Sequence, residues 1–169
     1  MRGTVSGTVC TLAFVAGCAG SSESQFGGRE VRTSEEEAIA RLALLAFPSP
    51  VNLDERPGVD GFRAKVYATG LDYPKGILIT GGRLEVLLFD GVVPSPVPAD
   101  GVPRERWSYT PDQLRRHAFH SMTGIGYDLA LRWDEKRPVR SVVTIIVRYH
   151  PEDGAPVESS SVSLAVRVN

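Results

Sequence analysis

Cysteine is almost absent from this sequence. Among its 169 residues only Cys10 and Cys18 are cysteines, so residues 19–169 contain none. This excludes a disulfide framework and a cysteine-ligated zinc site for that part of the chain. A chain of this size buries roughly 70% of its unfolded surface on folding, so packing alone is sufficient for a stable domain.

The sequence also lacks an excess of charge of either sign. It has 19 Lys and Arg residues against 20 Asp and Glu residues, which gives a net charge of -1. A protein that binds nucleic acid without sequence preference needs a basic surface to displace counterions. We therefore predict no nucleic-acid partner, and we expect any membrane association to depend on an anchor.

An uncharged stretch near the N-terminus is too short to form a stable transmembrane helix. It runs from Gly3 to Gly17, directly after Arg2, and it is rich in glycine and threonine. A spanning helix needs about 20 apolar residues. A short positive segment followed by such a stretch is typical of a secretory signal, so residues 1–17 are predicted to be a cleaved signal peptide.

The end of this stretch resembles the bacterial lipobox, with the sequence Val15-Ala16-Gly17-Cys18. The resemblance implies transfer of diacylglycerol to the Cys18 thiol, cleavage between Gly17 and Cys18, and acylation of the new amino terminus, for example by palmitate. Two or three acyl chains hold a protein on a bilayer far more firmly than one. The alternative is an ordinary signal peptide in which Cys18 is incidental.

The same resemblance places the protein in the cell envelope. In Gram-negative lipoproteins an aspartate after the lipidated cysteine favours the inner membrane, and this chain has Ala19 at that position. The resemblance therefore implies a lipid anchor in the outer membrane, with the protein facing the periplasm.

Two segments separate the anchor from the main domain. Residues 18–33, the lipidated cysteine and a stretch rich in serine and glycine, are expected to form a flexible tether. Residues 34–47 are predicted to form an amphipathic helix, because Ser34 and Glu37 make a capping box and Pro48 ends the segment. Its apolar residues follow helical spacing: Ile39, Leu42, Leu45 and Ala46. This helix either packs on its own domain, binds a partner, or extends the tether.

The remainder, residues 62–168, is predicted to be a β-domain, because apolar and polar residues alternate along most of it. Gly81-Gly82 predicts a hairpin between strands at 77–80 and 83–89. Residues 92–103 contain four prolines and are predicted to be a loop. Thr110-Pro111 predicts the start of a short helix. Further strands are expected near Trp107, at 126–133, at 141–149 and from 162 to the end.

Six or seven strands with turns between them favour an antiparallel two-sheet β-sandwich. At the level of strand pattern, residues 62–168 loosely resemble immunoglobulin-like or transthyretin-like domains of envelope proteins. The disulfide that marks true immunoglobulin domains is absent, so no specific family follows from the pattern.

The sequence contains no catalytic motif. It has no G-x-S-x-G element, no phosphate-binding loop and no complete dinucleotide fingerprint. We therefore predict a non-enzymatic protein without a cofactor. The alternative of a metal-dependent enzyme rests on His117 and His120, which are expected to share one face of the short helix, with His150 or Asp128 as a third ligand.

Two weaker sets of residues suggest ligand binding. Trp107 and Tyr109, next to the proline-rich loop, are candidates for stacking on a carbohydrate or another small ligand. Acidic residues in loops are either ordinary solvated turns or, if the loops converge, residues that could bind calcium: Asp54, Glu55, Asp60, Asp134 and Glu135. Our leading hypothesis is an anchored module that binds another envelope component, expected to be a protein.

Overall fold

The computed structural model describes residues 38–98, 101–133 and 136–166. The predicted signal peptide, the lipobox and the tether all lie outside the described residues. The described chain is mainly β. Its elements are β1 (Arg41–Ala46), β2 (Gly61–Thr69), β3 (Gly76–Ile77), β4 (Arg83–Asp90), β5 (Glu105–Tyr109), α1 (Pro111–Arg115), β6 (Ala118–Ser121), β7 (Gly124–Arg132), β8 (Val142–His150), β9 (Val157–Glu158) and β10 (Val162–Ala165).

The strands form two sheets. Sheet A has the order β1-β2-β3-β7-β6, and β2 also pairs directly with β7. Sheet B has the order β10-β8-β4-β5, with β9 paired to β8. The named strands pair antiparallel except β3 and β7, which meet in parallel at Gly76 and Gly124. A Cβ at Gly124 would lie 2.4 Å from the Gly76 carbonyl oxygen, so this contact requires glycine.

The main hydrophobic core lies between the sheets, as the alternating pattern predicts. Phe62 of β2 packs edge-to-face on Trp133, with 4.9 Å between the ring centroids. The remaining core residues come from both sheets and include Val66, Leu84, Val86, Leu88, Tyr127, Leu129, Leu131, Ile145 and Val147. The prediction of a mainly β, two-sheet architecture is therefore confirmed.

A second, smaller core lies on the outer face of sheet B. Leu87 and Phe89 of β4 and Ile146 of β8 are buried there, because Val93 and Val97 of the proline-rich loop pack over them. The loop is held by hydrogen bonds from the Val93 N–H to Thr144 Oγ1, and from Ser95 Oγ to the Ser159 carbonyl. The predicted loop is thus a packed strap on the sheet.

The helix predicted at 34–47 is wrong for residues 41–46, which form β1. Leu42 and Leu44 face the core, whereas Leu45 is 59% exposed. The sequence around Leu42 satisfies both helical and strand periodicity, and pairing of all six β1 residues with β2 decides in favour of the strand. Residues 34–37, which contain the predicted cap, lie outside the described residues.

The hairpin predicted at Gly81-Gly82 is also wrong. The strands on either side belong to different sheets, β3 to sheet A and β4 to sheet B, so the turn carries the chain across the sandwich. Strands β6 and β9 are additional to those predicted. The helix start at Thr110 is confirmed, with a capping box formed by Thr110 and Gln113.

Candidate functional site

Three long connections meet at one end of the sandwich, here called the loop end. They are residues 47–60, 91–104 and 133–141, which join β1 to β2, β4 to β5 and β7 to β8. Strand register brings them together, because Gly61 pairs with Arg132 in sheet A and Asp90 pairs with Val143 in sheet B. The sequence-based condition that loops converge is therefore met.

Asp90 ties the second connection to the third. Its Oδ1 accepts the backbone N–H of Val139 at 3.0 Å and that of Arg140 at 3.4 Å. Its Oδ2 lies 3.3 Å from Nη1 of Arg104. A mostly buried carboxylate that collects two backbone donors and a guanidinium holds the loops in a defined arrangement.

Arginine side chains complete the links among the three connections. Arg104 Nε donates to the carbonyls of Lys136 at 3.2 Å and Arg137 at 2.7 Å. Arg137 Nη2 in turn donates to the Val59 carbonyl at 3.3 Å. The described residues of the loop end are consequently cross-linked by side chain–backbone hydrogen bonds.

Exposed apolar side chains concentrate at the loop end. Five of the eight exposed large hydrophobic residues in the described chain lie in its loops, and Val102 is 84% exposed. Exposed apolar residues that cluster, rather than scatter, mark interaction surfaces. The five are Phe47, Val59, Val92, Val102 and Val139.

A polar cleft opens beside these residues, and we call it the arginine cleft. It has a volume of about 420 Å³ and is lined by Asp54, Arg56, Pro57, Gly58, Asp60, Arg132 and Arg137. Arg132 Nη2 lies 3.0 Å from Asp54 Oδ2 and 3.7 Å from Asp60 Oδ2. The two aspartates thus orient one guanidinium, and two others share the cleft with it.

A second cavity of about 500 Å³ lies between the strap and the sheet. Phe89 and Val93 form its apolar floor, and Arg104 and Lys136 line it as well. Lys136 Nζ is 3.0 Å from Glu105, so its charge is already balanced. This cavity is a weaker candidate for recognition of a charged group.

The structure places Trp107 and Tyr109 on the core side of β5, where both pack against the main core and are half-buried. The indole N–H of Trp107 donates to the Arg132 carbonyl at 2.9 Å, which links sheet B to sheet A. Burial raises the pKa of Tyr109 above its ordinary value of 10.0. These rings brace the two sheets, and their packing does not favour a stacking platform.

The expectation that His117 and His120 share a helix face is wrong. Helix α1 ends at Arg115, and His120 lies in β6 opposite Ile125. The His117 ring packs edge-to-face on Tyr109. The described residues contain no group of three or more His, Cys, Asp or Glu side chains suited to a metal ion.

The acidic loop residues have structural contacts instead. Asp54 Oδ1 accepts the Arg56 N–H at 2.8 Å, and Asp60 Oδ1 accepts the Leu53 N–H at 2.6 Å. Their second oxygens face Arg132. The calcium interpretation therefore has little support from these two residues, while Asp134 and Glu135 lie outside the described residues.

Two features were not predicted from the sequence. The first is the arginine cleft, since Arg56 lies more than 70 positions before Arg132 and Arg137 and only the sheet register brings them together.

The second is Glu85, which is 3% exposed on the outer side of sheet B. Its carboxylate lies 3.0 Å from His150 Nε2 and near the guanidiniums of Arg83 and Arg106. A charged residue within the otherwise apolar run from Leu84 to Phe89 was the available signal.

Comparisons with protein-family models, with curated proteins and with solved structures find no match to this chain. No helix in the described ranges is long and apolar enough to cross a bilayer.

Proposed function

We propose that this protein is a lipid-anchored, non-catalytic binding module of the bacterial cell envelope, and that its loop end binds another envelope protein. The lipobox at residues 15–18 motivates the anchor at Cys18, and Ala19 favours the outer membrane. The two-sheet domain is a rigid scaffold, which we place loosely among immunoglobulin-like or transthyretin-like sandwiches on its strand pattern alone.

The observation that carries this proposal is the direction of β1. Arg41 pairs with Thr69 and Ala46 pairs with Ala64, so the chain enters β1 at the end of the sandwich opposite the loop end. Strand β2 has nine residues, which corresponds to a length of about 30 Å at about 3.3 Å per residue. The chain that leads back to Cys18 and the exposed loops therefore leave the domain at opposite ends.

The chemistry of the loop end suits a protein partner. Its loops carry exposed valines, and they also contain Arg56, Arg104, Arg137 and Arg140. Arginine is enriched at protein–protein interfaces, and lysine is depleted there. An apolar surface with fixed guanidiniums combines burial of hydrophobic area with directional hydrogen bonds.

One observation favours carbohydrate binding as a second candidate. Tyr67 and Phe119 meet edge-to-face on the outer side of sheet A, with 5.8 Å between their centroids. Lys65 Nζ lies 5.0 Å from the Phe119 ring centroid. Asp128 of β7 lies opposite Lys65 of β2 in the strand register. Half-buried aromatic rings beside polar side chains are a common arrangement for stacking on sugars.

Site-specific photo-cross-linking in cells tests the proposed function. A photoreactive amino acid is placed at Val102 or Val92 at the loop end, and at Leu71 or Met122 at the opposite end. All four side chains are at least 70% exposed, so accessibility is matched. We expect one protein adduct, identified by mass spectrometry, from the loop-end positions alone.

Other patterns of cross-linking would contradict this proposal. An adduct from Leu71 or Met122 alone would place the interface at the wrong end. If none of the four positions gave a protein adduct, a glycan array with Tyr67→Ala as the control would test the carbohydrate alternative.

A further inference from the structure

We infer that the arginine cleft is an oxyanion-binding site, which takes a carboxylate or phosphate group through Arg56 and Arg137. This inference deepens the proposed function, because it names the chemistry that the loop end recognises. Free oxyanions test it without the partner, so the two proposals fail separately.

The balance of charge in the cleft favours an anion. Three guanidiniums and two carboxylates line it among the described residues. Both carboxylates face Arg132. Arg137 makes one described side-chain hydrogen bond, to the Val59 carbonyl. A carbonyl balances no charge, so this guanidinium still favours an anionic ligand.

Arg56 is held at the cleft by its backbone. Its N–H donates to Asp54 Oδ1 at 2.8 Å, and its carbonyl accepts from Asn52 Nδ2 at 2.6 Å. No side-chain partner of Arg56 is found in the described ranges. The loop is therefore ordered while the guanidinium keeps its donors available, an arrangement that lowers the entropic cost of binding.

The residue type and the size of the site fit the same chemistry. A guanidinium offers a planar pair of N–H donors that matches a carboxylate or a phosphate, and it keeps its charge at all physiological pH values. A cleft of about 420 Å³ is at the small end of ligand sites, which span roughly 300–1,000 Å³. It suits one acidic side chain, a peptide carboxylate or a phosphate group.

In two other charged clusters of the described chain, each arginine lies within reach of a carboxylate. The carboxylate of Glu85 takes His150 and two arginines, and Arg148 pairs with Glu158 in a direct ion pair. A cation in the arginine cleft would lie among guanidiniums. Arg56 and Arg137, by contrast, have no carboxylate partner among the described residues, so an anion in the cleft would pair with them directly.

The test is a chemical-shift titration of the full chain in detergent micelles. Two probes are used: inorganic phosphate, and a blocked dipeptide with a single glutamate side chain. We expect saturable shifts of the Gly58 and Val59 amides with at least one probe. The probe that saturates first identifies phosphate or carboxylate as the preferred group.

Two double variants give the contrast. Arg56→Ala/Arg137→Ala removes both available guanidiniums, and Arg115→Ala/Arg116→Ala removes the same charge at α1. Each charge-assisted hydrogen bond is worth more than a factor of about ten in affinity. We therefore expect affinity to fall at least about tenfold in the first variant and to stay within about twofold in the second.

Three results would overturn the inference. They are the absence of saturable binding of either probe, equal losses in the two double variants, and unchanged binding in Arg56→Ala/Arg137→Ala that remains folded by circular dichroism. If this variant still cross-links to the same protein through Val102 as strongly as the parent chain, the oxyanion chemistry is wrong and the proposed function stands.

Discussion

Tyr127 couples the stability of the domain to pH. Its phenol is fully buried and its oxygen accepts the Ile79 N–H at 2.7 Å. Burial raises the pKa of Tyr127 above 10.0, while this hydrogen bond and the charge of Arg115 lower it in part. The folded state thus favours the neutral phenol. Its contribution to stability is complete below about pH 10 and is lost as the pH rises through the folded-state pKa.

We expect Tyr127→Phe to weaken this alkaline loss of stability. At neutral pH the variant leaves the Ile79 N–H without its acceptor, which costs about 1–3 kcal/mol. Urea unfolding at neutral pH and above the ordinary tyrosine pKa of about 10 measures both effects. A wild-type free energy of unfolding that stays constant over this range would contradict the argument, as would an equally steep decline in the variant.

Predictions for single residues were confirmed where the contact that fixes the local structure lies within a few residues in the sequence. The Thr110–Gln113 capping box forms within four residues, so it was readable. Trp107 was expected at the surface, but its environment depends on Arg132 in the other sheet. Long-range pairing of this kind leaves no local signal in the sequence.

At the scale of elements, β1 shows that pairing with a neighbouring strand can determine the secondary structure of an apolar segment. Leu42 and Leu45 suit a helix, whereas Leu42 and Leu44 suit a strand, and no local residue separates the two patterns. The backbone of β1 pairs along the edge of β2. This pairing places Leu42 and Leu44 against the main core. Tertiary packing therefore overrode a good helix signal.

A strand and a helix at residues 41–46 predict opposite relative effects on stability for substitutions at Leu44 and Leu45. We expect Leu44→Ala to reduce the free energy of unfolding by about 2–4 kcal/mol, because it removes a buried side chain. Leu45→Ala should change it by less than about 0.5 kcal/mol, since Leu45 is 59% exposed. Chemical denaturation of both variants provides the measurement, and a larger loss for Leu45→Ala would support the helix instead.

At the scale of the whole molecule, the sequence predicted a mainly β domain with two sheets, because apolar and polar residues alternate in β2 and in much of β7, and β4 and β8 are short, mostly apolar runs. It did not predict which connections stay within a sheet. Gly81-Gly82 has the composition of a hairpin turn, yet it joins the two sheets. The arginine cleft depends on the register of β2 and β7, which join residues far apart in the sequence, and so could not be predicted either.

The proposed anchor is a property of the whole chain and has a direct test. We expect the full-length protein to incorporate an alkyne-labelled palmitate analogue and to sediment with membranes. Cys18→Ala should lose both properties while Cys10→Ala retains the label, because Cys10 lies within the expected signal peptide. Unchanged labelling in Cys18→Ala would contradict the lipobox assignment.

The direction of β1 also determines how the domain would bear mechanical load. If the chain is anchored and bound as proposed, a pull between the anchor and the partner acts along the strands. The six residues of β1 are joined to β2 by hydrogen bonds that run perpendicular to the strands. Such a force shears these bonds together instead of peeling them apart one by one. Strand β1 would then act as a clamp that resists extraction while the envelope is under tension.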